Sequence, residues 1–159
     1  MARQVRSPSA EFPPSTDTIY QAVIKMIDQV FVHTGNGRHL DIGSGDGRLL
    51  KLISDSYPLR QSACDYSSRF MKRPNLPVDT VDLNHERLPY PDEQFDLVTC
   101  VETIDHLENF REVIREIYRS LVREINTLDL LLGRTLIVAA HKRRQIENGN
   151  GGDEAGAPG

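Results

Sequence analysis

Residues 39–50 read His-Leu-Asp-Ile-Gly-Ser-Gly-Asp-Gly-Arg-Leu-Leu. Residues 39–42 are a short, mostly apolar run with an acid inside it, which predicts a strand. Gly43, Gly45 and Gly47 follow at alternate positions, so the backbone can turn sharply and lie against another molecule with no Cβ in the way. Leu49 and Leu50 then open a helix, whose first N–H groups lack intrahelical partners and face the same place. A strand, a glycine loop and a helix in this order predict a ligand cradle at the carboxyl end of a strand.

Outward from the loop, apolar spacing sets the remaining elements. Ile19, Val23, Ile24, Met26, Ile27, Val30 and Phe31 place one stripe on a helix that begins near Ser15 and ends at Gly35 and Gly37. The helix over 48–55 buries Leu49, Leu50, Leu52 and Ile53, and Pro58 stops it. Strands are predicted over 59–65, 78–83 and 95–101, the last apolar almost throughout, as a strand buried on both faces is. From Phe110 the positions Val113, Ile114, Ile117, Tyr118, Leu121, Val122, Ile125 and Leu128 keep helical spacing until Gly133. This predicts one long helix, or two with a bend near Asn126 and Thr127. Residues 135–140 are predicted to form a fifth strand. Alternating strands and helices predict an α/β fold with a parallel, doubly wound, Rossmann-like sheet and flanking helices. Residues 1–14, with Pro8, Pro13 and Pro14, read as a flexible leader, 15–145 as one domain, and 146–159 as a disordered tail.

The 159 residues are 38% hydrophobic, enough for one domain with a sizeable core. A net charge of −4 gives no basic surplus; it argues against nucleic acid or an anionic membrane as the main partner and favours a small molecule. No apolar run approaches the roughly 18 residues that span a bilayer, and residues 1–14 lack the apolar stretch of a signal peptide, so a cytoplasmic location is expected. Cys64 and Cys100 lie in predicted strands without C-x-x-C spacing and read as reduced core thiols, with no metal site expected. Lys142, Arg143 and Arg144 have no interleaved aromatic residue and read as a solvated strand exit.

Asp41 sets the chemistry of the loop. A pyrophosphate beside this acid would be repelled, whereas an ammonium or sulfonium centre would be attracted. Asp65, at the tip of the second strand, stands where a carboxylate accepts both hydroxyls of a ribose. Asp82 and Leu83, ending the third, offer a side-chain acceptor beside a backbone N–H that suits the edge of adenine. The structural alternatives are an Asp41 that only organises its loop and a His106 that packs or caps a junction. Asp96 is expected to brace the start of the fourth strand, and Glu108 and Asn109 to supply acceptors to the next helix.

Over residues 38–121 the chain resembles the class I S-adenosylmethionine-dependent methyltransferases, in particular the methyltransferase type 11 group. The resemblance rests on Leu40-Asp41-Ile42-Gly43-Ser44-Gly45-Asp46-Gly47, on Ala63-Cys64-Asp65-Tyr66-Ser67, on Val81-Asp82-Leu83, on the run from Leu88 to Val98, and on Glu102-Thr103-Ile104-Asp105-His106-Leu107-Glu108-Asn109. It implies a sheet of about five strands in the order 3-2-1-4-5 and S-adenosylmethionine as cofactor. It places Asp41, Gly43 and Gly45 at the methionine end, Asp65 at the ribose, Asp82 and Leu83 at the adenine, and Glu102 in a loop beside the cofactor, with Ser44, Gly47 and Tyr66 as further cofactor-binding candidates. His106, facing the acceptor, is the candidate catalytic base of methyl transfer to a small molecule. Family members add a final antiparallel hairpin over strand five, which is expected to be missing here, so a cofactor-binding or scaffold protein without turnover is the second reading. The edge at Leu136, Ile137 and Val138 predicts a homodimer or a protein partner. A nucleotide-binding oxidoreductase is disfavoured by Asp41 and the glycine spacing.

Overall fold

In the computed structural model, which describes residues 16–31 and 37–121, the stretch before the glycine loop is a strand, β1 (Arg38–Ile42), buried after its first residue. It pairs in parallel with β2 (Arg60–Asp65) on one side and with β4 (Leu97–Cys100) on the other, and β3 (Val78–Thr80) extends the sheet beyond β2. The order among the described residues is β3-β2-β1-β4, which agrees with the expected 3-2-1-4. Side chains alternate between the faces of each strand. Leu40, Ile42, Cys64, Val98 and Cys100 therefore pack with Val113 and Ile117 of α3 (Phe110–Ser120). Leu97 and the adjoining Val101 pack on the other face with Ile19, Val23 and Ile27 of α1 (Thr16–Val30) and Leu49 and Ile53 of α2 (Arg48–Ser56). Helices on both faces leave every residue of β4 buried, as its apolar run predicts.

Two polar latches seat α1. Asp17 pairs with Arg48 at the start of α2, and the Tyr57 hydroxyl donates to Asp28 near the other end. Phe31 meets the Tyr57 ring edge to face at 6.0 Å and 88°. Arg38 N–H donates to Asp96 Oδ2 at 2.8 Å while Asp96 N–H returns to the Arg38 carbonyl at 2.9 Å, the brace expected of Asp96. Cys64 and Cys100 are buried free thiols.

Four expectations need correction. The third strand ends at Thr80, because Asp82 turns the chain: its carboxylate accepts Asn84 N–H at 3.1 Å and its carbonyl accepts the N–H groups of His85 and Glu86. Asp82 and Leu83 thus belong to a turn. The fourth strand is limited to Leu97–Cys100, with Phe95 forming an isolated parallel bridge to Leu121. The long helix stops at Ser120. Its last carbonyls are taken by the segment before β4: Arg119 accepts Glu93 N–H at 3.0 Å, and Ser120 accepts Gln94 and Phe95 N–H at 2.9 and 3.0 Å. Those carbonyls are therefore unavailable to a further helical turn, and Leu121 goes extended at φ −82°, ψ 146°. Asn109, finally, makes no side-chain capping bond before α3; the acceptor it supplies to the first turn is its backbone carbonyl, which takes Glu112 N–H at 3.1 Å.

The leader at 1–14, the helical pattern past residue 121, the strand at 135–140 with its dimer edge, and the tail at 146–159 lie outside the described residues. Among the described residues no helix is long and apolar enough to cross a membrane, and no cluster of His, Cys, Asp and Glu suits a metal ion.

Candidate functional site

The loop leaving β1 is tied to the end of β2. Gly43 and Ser44 donate their N–H groups to the Cys64 carbonyl at 2.9 and 3.1 Å, and Gly45 N–H donates to Asp65 Oδ2 at 2.8 Å. The glycines then serve different ends. At Gly43, where φ is 72°, a Cβ would sit 2.0 Å from Thr103 Oγ1, so the missing side chain lets the loop after β4 close on the loop after β1. At Gly47 a Cβ would meet Met71 Sδ at 2.6 Å, a packing role against the segment after β2. Only at Gly45 would a Cβ meet nothing within 4 Å, which is the open side of a cradle. Ser44 Oγ, buried in the same loop, has no hydrogen-bond partner among the described residues.

Beside this loop lies a cleft of about 330 Å³, within the range that holds small ligands. Of the candidate residues, Gly43, Asp65, Tyr66, Asp82, Leu83, Glu102 and His106 line it; Asp41, Ser44, Gly45 and Gly47 do not. Asp65 accepts Gly45 N–H with one oxygen and Ser67 N–H, at 3.1 Å, with the other, which leaves each oxygen a second acceptor site. The Tyr66 ring, 73% exposed, stands next to it. Asp82 is more committed. His85 and Asn84 hydrogen-bond its carboxylate and hold it below the usual range, and its own N–H donates to Glu86 Oε2 at 2.8 Å. The Leu83 amide, and not that of Asp82, is therefore the donor to consider beside the carboxylate.

Glu102 has φ 54°, a left-handed conformation for a residue with a side chain. Such backbone costs on the order of 1–3 kcal/mol and persists where neighbours fix it, often at binding sites. His106 is exposed at the rim, in a 3₁₀ turn over Ile104–His106. The sequence reading missed Thr103 and Asn84. Thr103 Oγ1 donates to the carbonyls of Ile42 and Val101, and Asn84 Oδ1 accepts Glu108 N–H at 2.8 Å, joining the loops after β3 and β4. A hydroxyl just past a strand that neighbours a glycine loop was the available signal for Thr103.

Asp41 is buried on the α1 and α2 side of β1, where the register sets it opposite Thr99. Thr99 Oγ1 donates to Asp41 Oδ1 at 2.7 Å, and the hydroxyl, having spent its proton, accepts from His39 Nε2 at 2.8 Å. His39 Nδ1 is then a bare buried acceptor without a partner among the described residues. Burial pushes Asp41 up to about 7 and His39 down to about 3. Between about pH 4 and 6.5 the unfolded chain holds a proton on His39 and the folded chain holds one on Asp41, so the pair adds no net slope to stability.

Single variants separate the two slopes. Relative to the wild type, His39→Gln loses stability by about 1.4 kcal/mol per unit as pH rises from roughly 4 to 6.5. Asp41→Asn gains at the same rate as pH rises from roughly 4 to 7. Urea unfolding at several pH values reads both, and two flat difference profiles would mean that neither group is perturbed.

A family model described as a methyltransferase domain matches residues 40–124. The uncharacterized protein MJ0638 of Methanocaldococcus jannaschii is 29% identical over 108 residues, 68% of this chain and 43% of that protein, so the chain spans less than half the length of this curated relative. Among solved structures, the YcgJ protein of Bacillus subtilis is 23% identical with a TM-score of 0.55, over 65% of this chain and 47% of that one. A SAM-dependent methyltransferase of Archaeoglobus fulgidus is 20% identical with a TM-score of 0.55, over 73% of this chain and 56% of the other. At these identities the structural likeness shows the fold.

Proposed function

The chain belongs to the methyltransferase-domain family, and from that premise we propose that it binds S-adenosylmethionine and passes the methyl group to a small-molecule acceptor. The observation that carries the reading is Asp65. Its carboxylate closes the glycine loop through Gly45, keeps an acceptor site on each oxygen, and faces a cleft that also holds Asp82, Leu83 and Glu102. Two acceptors suit the adjacent hydroxyls of a ribose. Acids suit a ligand that carries an ammonium and a sulfonium. The open side of Gly45 and the unpartnered Ser44 hydroxyl fit a ligand laid against the loop backbone.

In this reading Asp65 and Tyr66 hold the ribose, Asp82 and Leu83 the adenine, and Asp41, Gly43, Ser44, Gly45 and Gly47 shape the methionine end, with Asp41 acting through its place behind the loop. When bound, S-adenosylmethionine supplies a methyl group on a positively charged sulfur, open to in-line displacement. Alignment and exclusion of water by the protein can supply most of the acceleration of such a displacement. Glu102, fixed in its left-handed conformation, orients the loop after β4. His106, which lines the rim of the cleft, takes in this reading the proton of an acceptor that must lose one.

Calorimetry with S-adenosylmethionine, S-adenosylhomocysteine and NAD tests the reading. Micromolar binding of the two sulfur ligands and none of NAD is expected. Failure to bind either sulfur ligand sinks it.

A further inference from the structure

β2 and β3 are parallel neighbours, and such strands are joined by a crossover that is usually a helix. Residues 66–77, which make this connection, hold only a 3₁₀ turn over Ser68–Phe70. Between the connection and α2 lies an open groove of about 440 Å³. Leu59, Pro74 and Leu76 form its apolar part, and Lys72, Arg73 and Asn75 its charged and polar part. Among the described residues no acid lines it, and it shares no residue with the cleft beside the glycine loop.

Arg73 is held along its length. Its Cγ and Cδ lie 3.3 Å from where a Cβ at Gly47 would stand, so its stem packs on the glycine loop. Its Nη1 donates to Gln61 Oε1 at 2.5 Å, and Gln61 Nε2 donates in turn to the Leu50 carbonyl of α2 at 2.7 Å, which fixes the amide. That partner is neutral, and among the described residues no carboxylate stands within ion-pair distance of Arg73. Its charge is therefore uncompensated, and a guanidinium has further N–H donors to offer. Lys72 adds a second cation. Its Nζ meets Asp46 Oδ2 at 3.2 Å in a solvent-exposed pair, which contributes at most about 1 kcal/mol, so an anion in the groove competes with it. The Lys72 N–H donates to the Asp46 carbonyl at 3.2 Å and holds the backbone while the side chain turns.

A rigid planar fork beside a mobile point charge suits the several oxygens of a phosphoryl group. The chain as a whole carries a charge of −4, which does not attract a long polyanion, whereas two local cations hold one small anion. We propose that this groove is a second binding site, for a small phosphate-bearing anion held by the Arg73 guanidinium and the Lys72 ammonium. Because Arg73 is already seated, little side-chain freedom is lost on binding. The site stands independently of the S-adenosylmethionine reading.

The test is calorimetry on the full chain with inorganic pyrophosphate, and with acetate at equal ionic strength as the comparison anion. Pyrophosphate should bind at one site with a Kd below about 1 mM, and acetate at least about tenfold more weakly. Arg73→Gln should weaken pyrophosphate about tenfold, the worth of a charge-assisted hydrogen bond. Lys72→Gln should weaken it about threefold, and Arg115→Gln, at an exposed cation of α3, should leave it unchanged. Melting temperatures without ligand show which variants are folded, and the exposed Lys72 decides if Arg73→Gln is not. Excess S-adenosylhomocysteine should not alter pyrophosphate affinity. Wild-type protein that does not bind pyrophosphate, or variants at 72 and 73 that bind it as the wild type does, overturns the proposal. Competition with S-adenosylhomocysteine overturns it as well, since the anion then sits in the cleft. So does a short single-stranded DNA that binds more tightly than pyrophosphate and is lost in the same two variants, because the groove then belongs to a nucleic-acid surface.

Discussion

Asp65→Ala lowers affinity for S-adenosylhomocysteine about 100-fold, as calorimetry would read it. Two hydrogen bonds from ribose hydroxyls to an ionised carboxylate contribute about 1.5 kcal/mol each, and about 3 kcal/mol corresponds to two decades in Kd. The same carboxylate also holds the glycine loop through Gly45 N–H at 2.8 Å and Ser67 N–H at 3.1 Å. Alanine removes these acceptors as well, so the loop loosens and the melting temperature falls by several degrees for a loss of about 1–2 kcal/mol. The two effects separate in Asp65→Asn. Its amide oxygen can still accept one of the loop N–H groups while the charge that strengthens the hydroxyl bonds is gone. Asparagine is thus expected to recover much of the melting temperature and little of the affinity. An alanine variant within about threefold of the wild type in affinity removes Asp65 from the ribose.

The parts of the fold set by local pattern were legible. The run at 39–42, the loop and Leu49, Leu50 and Ile53 announced β1 and α2 because each needs only its own periodicity and glycines. The end of α3 was not legible: Leu121 and Val122 continue the helical spacing, and what stops the helix is the capture of the Arg119 and Ser120 carbonyls by Glu93, Gln94 and Phe95, distant in sequence. The turn at Asp82 was readable in principle, since Asp and Asn two residues apart form such turns by side-chain bonding, but apolar Val81 and Leu83 favoured a longer strand. In the site, the acids at the strand ends were visible and their engagements were not. Asp41 looks like a ligand-facing acid until the β1–β4 register puts Thr99 opposite it. Glycine spacing marked the cradle, whereas the work of each glycine depends on Thr103, Met71 and the open space around Gly45.

That difference among the glycines carries the largest expected effect on stability. At Gly43 an added Cβ meets Thr103 Oγ1 at 2.0 Å, Cγ2 at 2.6 Å and Cβ at 2.8 Å, in a backbone already at φ 72°. The left-handed backbone costs alanine about 1 kcal/mol. Displacing a packed side chain adds about 1–3 kcal/mol. Gly43→Ala is therefore expected to destabilise the fold by about 3 kcal/mol in urea unfolding, against about 1 kcal/mol for Gly45→Ala, which has only the backbone to bear. Thr103 cannot retreat freely, because its hydroxyl donates to the carbonyls of Ile42 and Val101, and the residue before it is Glu102 at φ 54°. The strain thus passes into the cleft, and ligand affinity falls with stability. A double-mutant cycle with Thr103→Ala isolates the contact. Alanine at 103 removes Oγ1 and Cγ2 while leaving the Cβ at 2.8 Å, so the double variant should regain at least about 1 kcal/mol over the sum of the singles. Additivity within about 0.5 kcal/mol would mean that the two loops do not press on each other, and Gly43 would then be a turn residue alone.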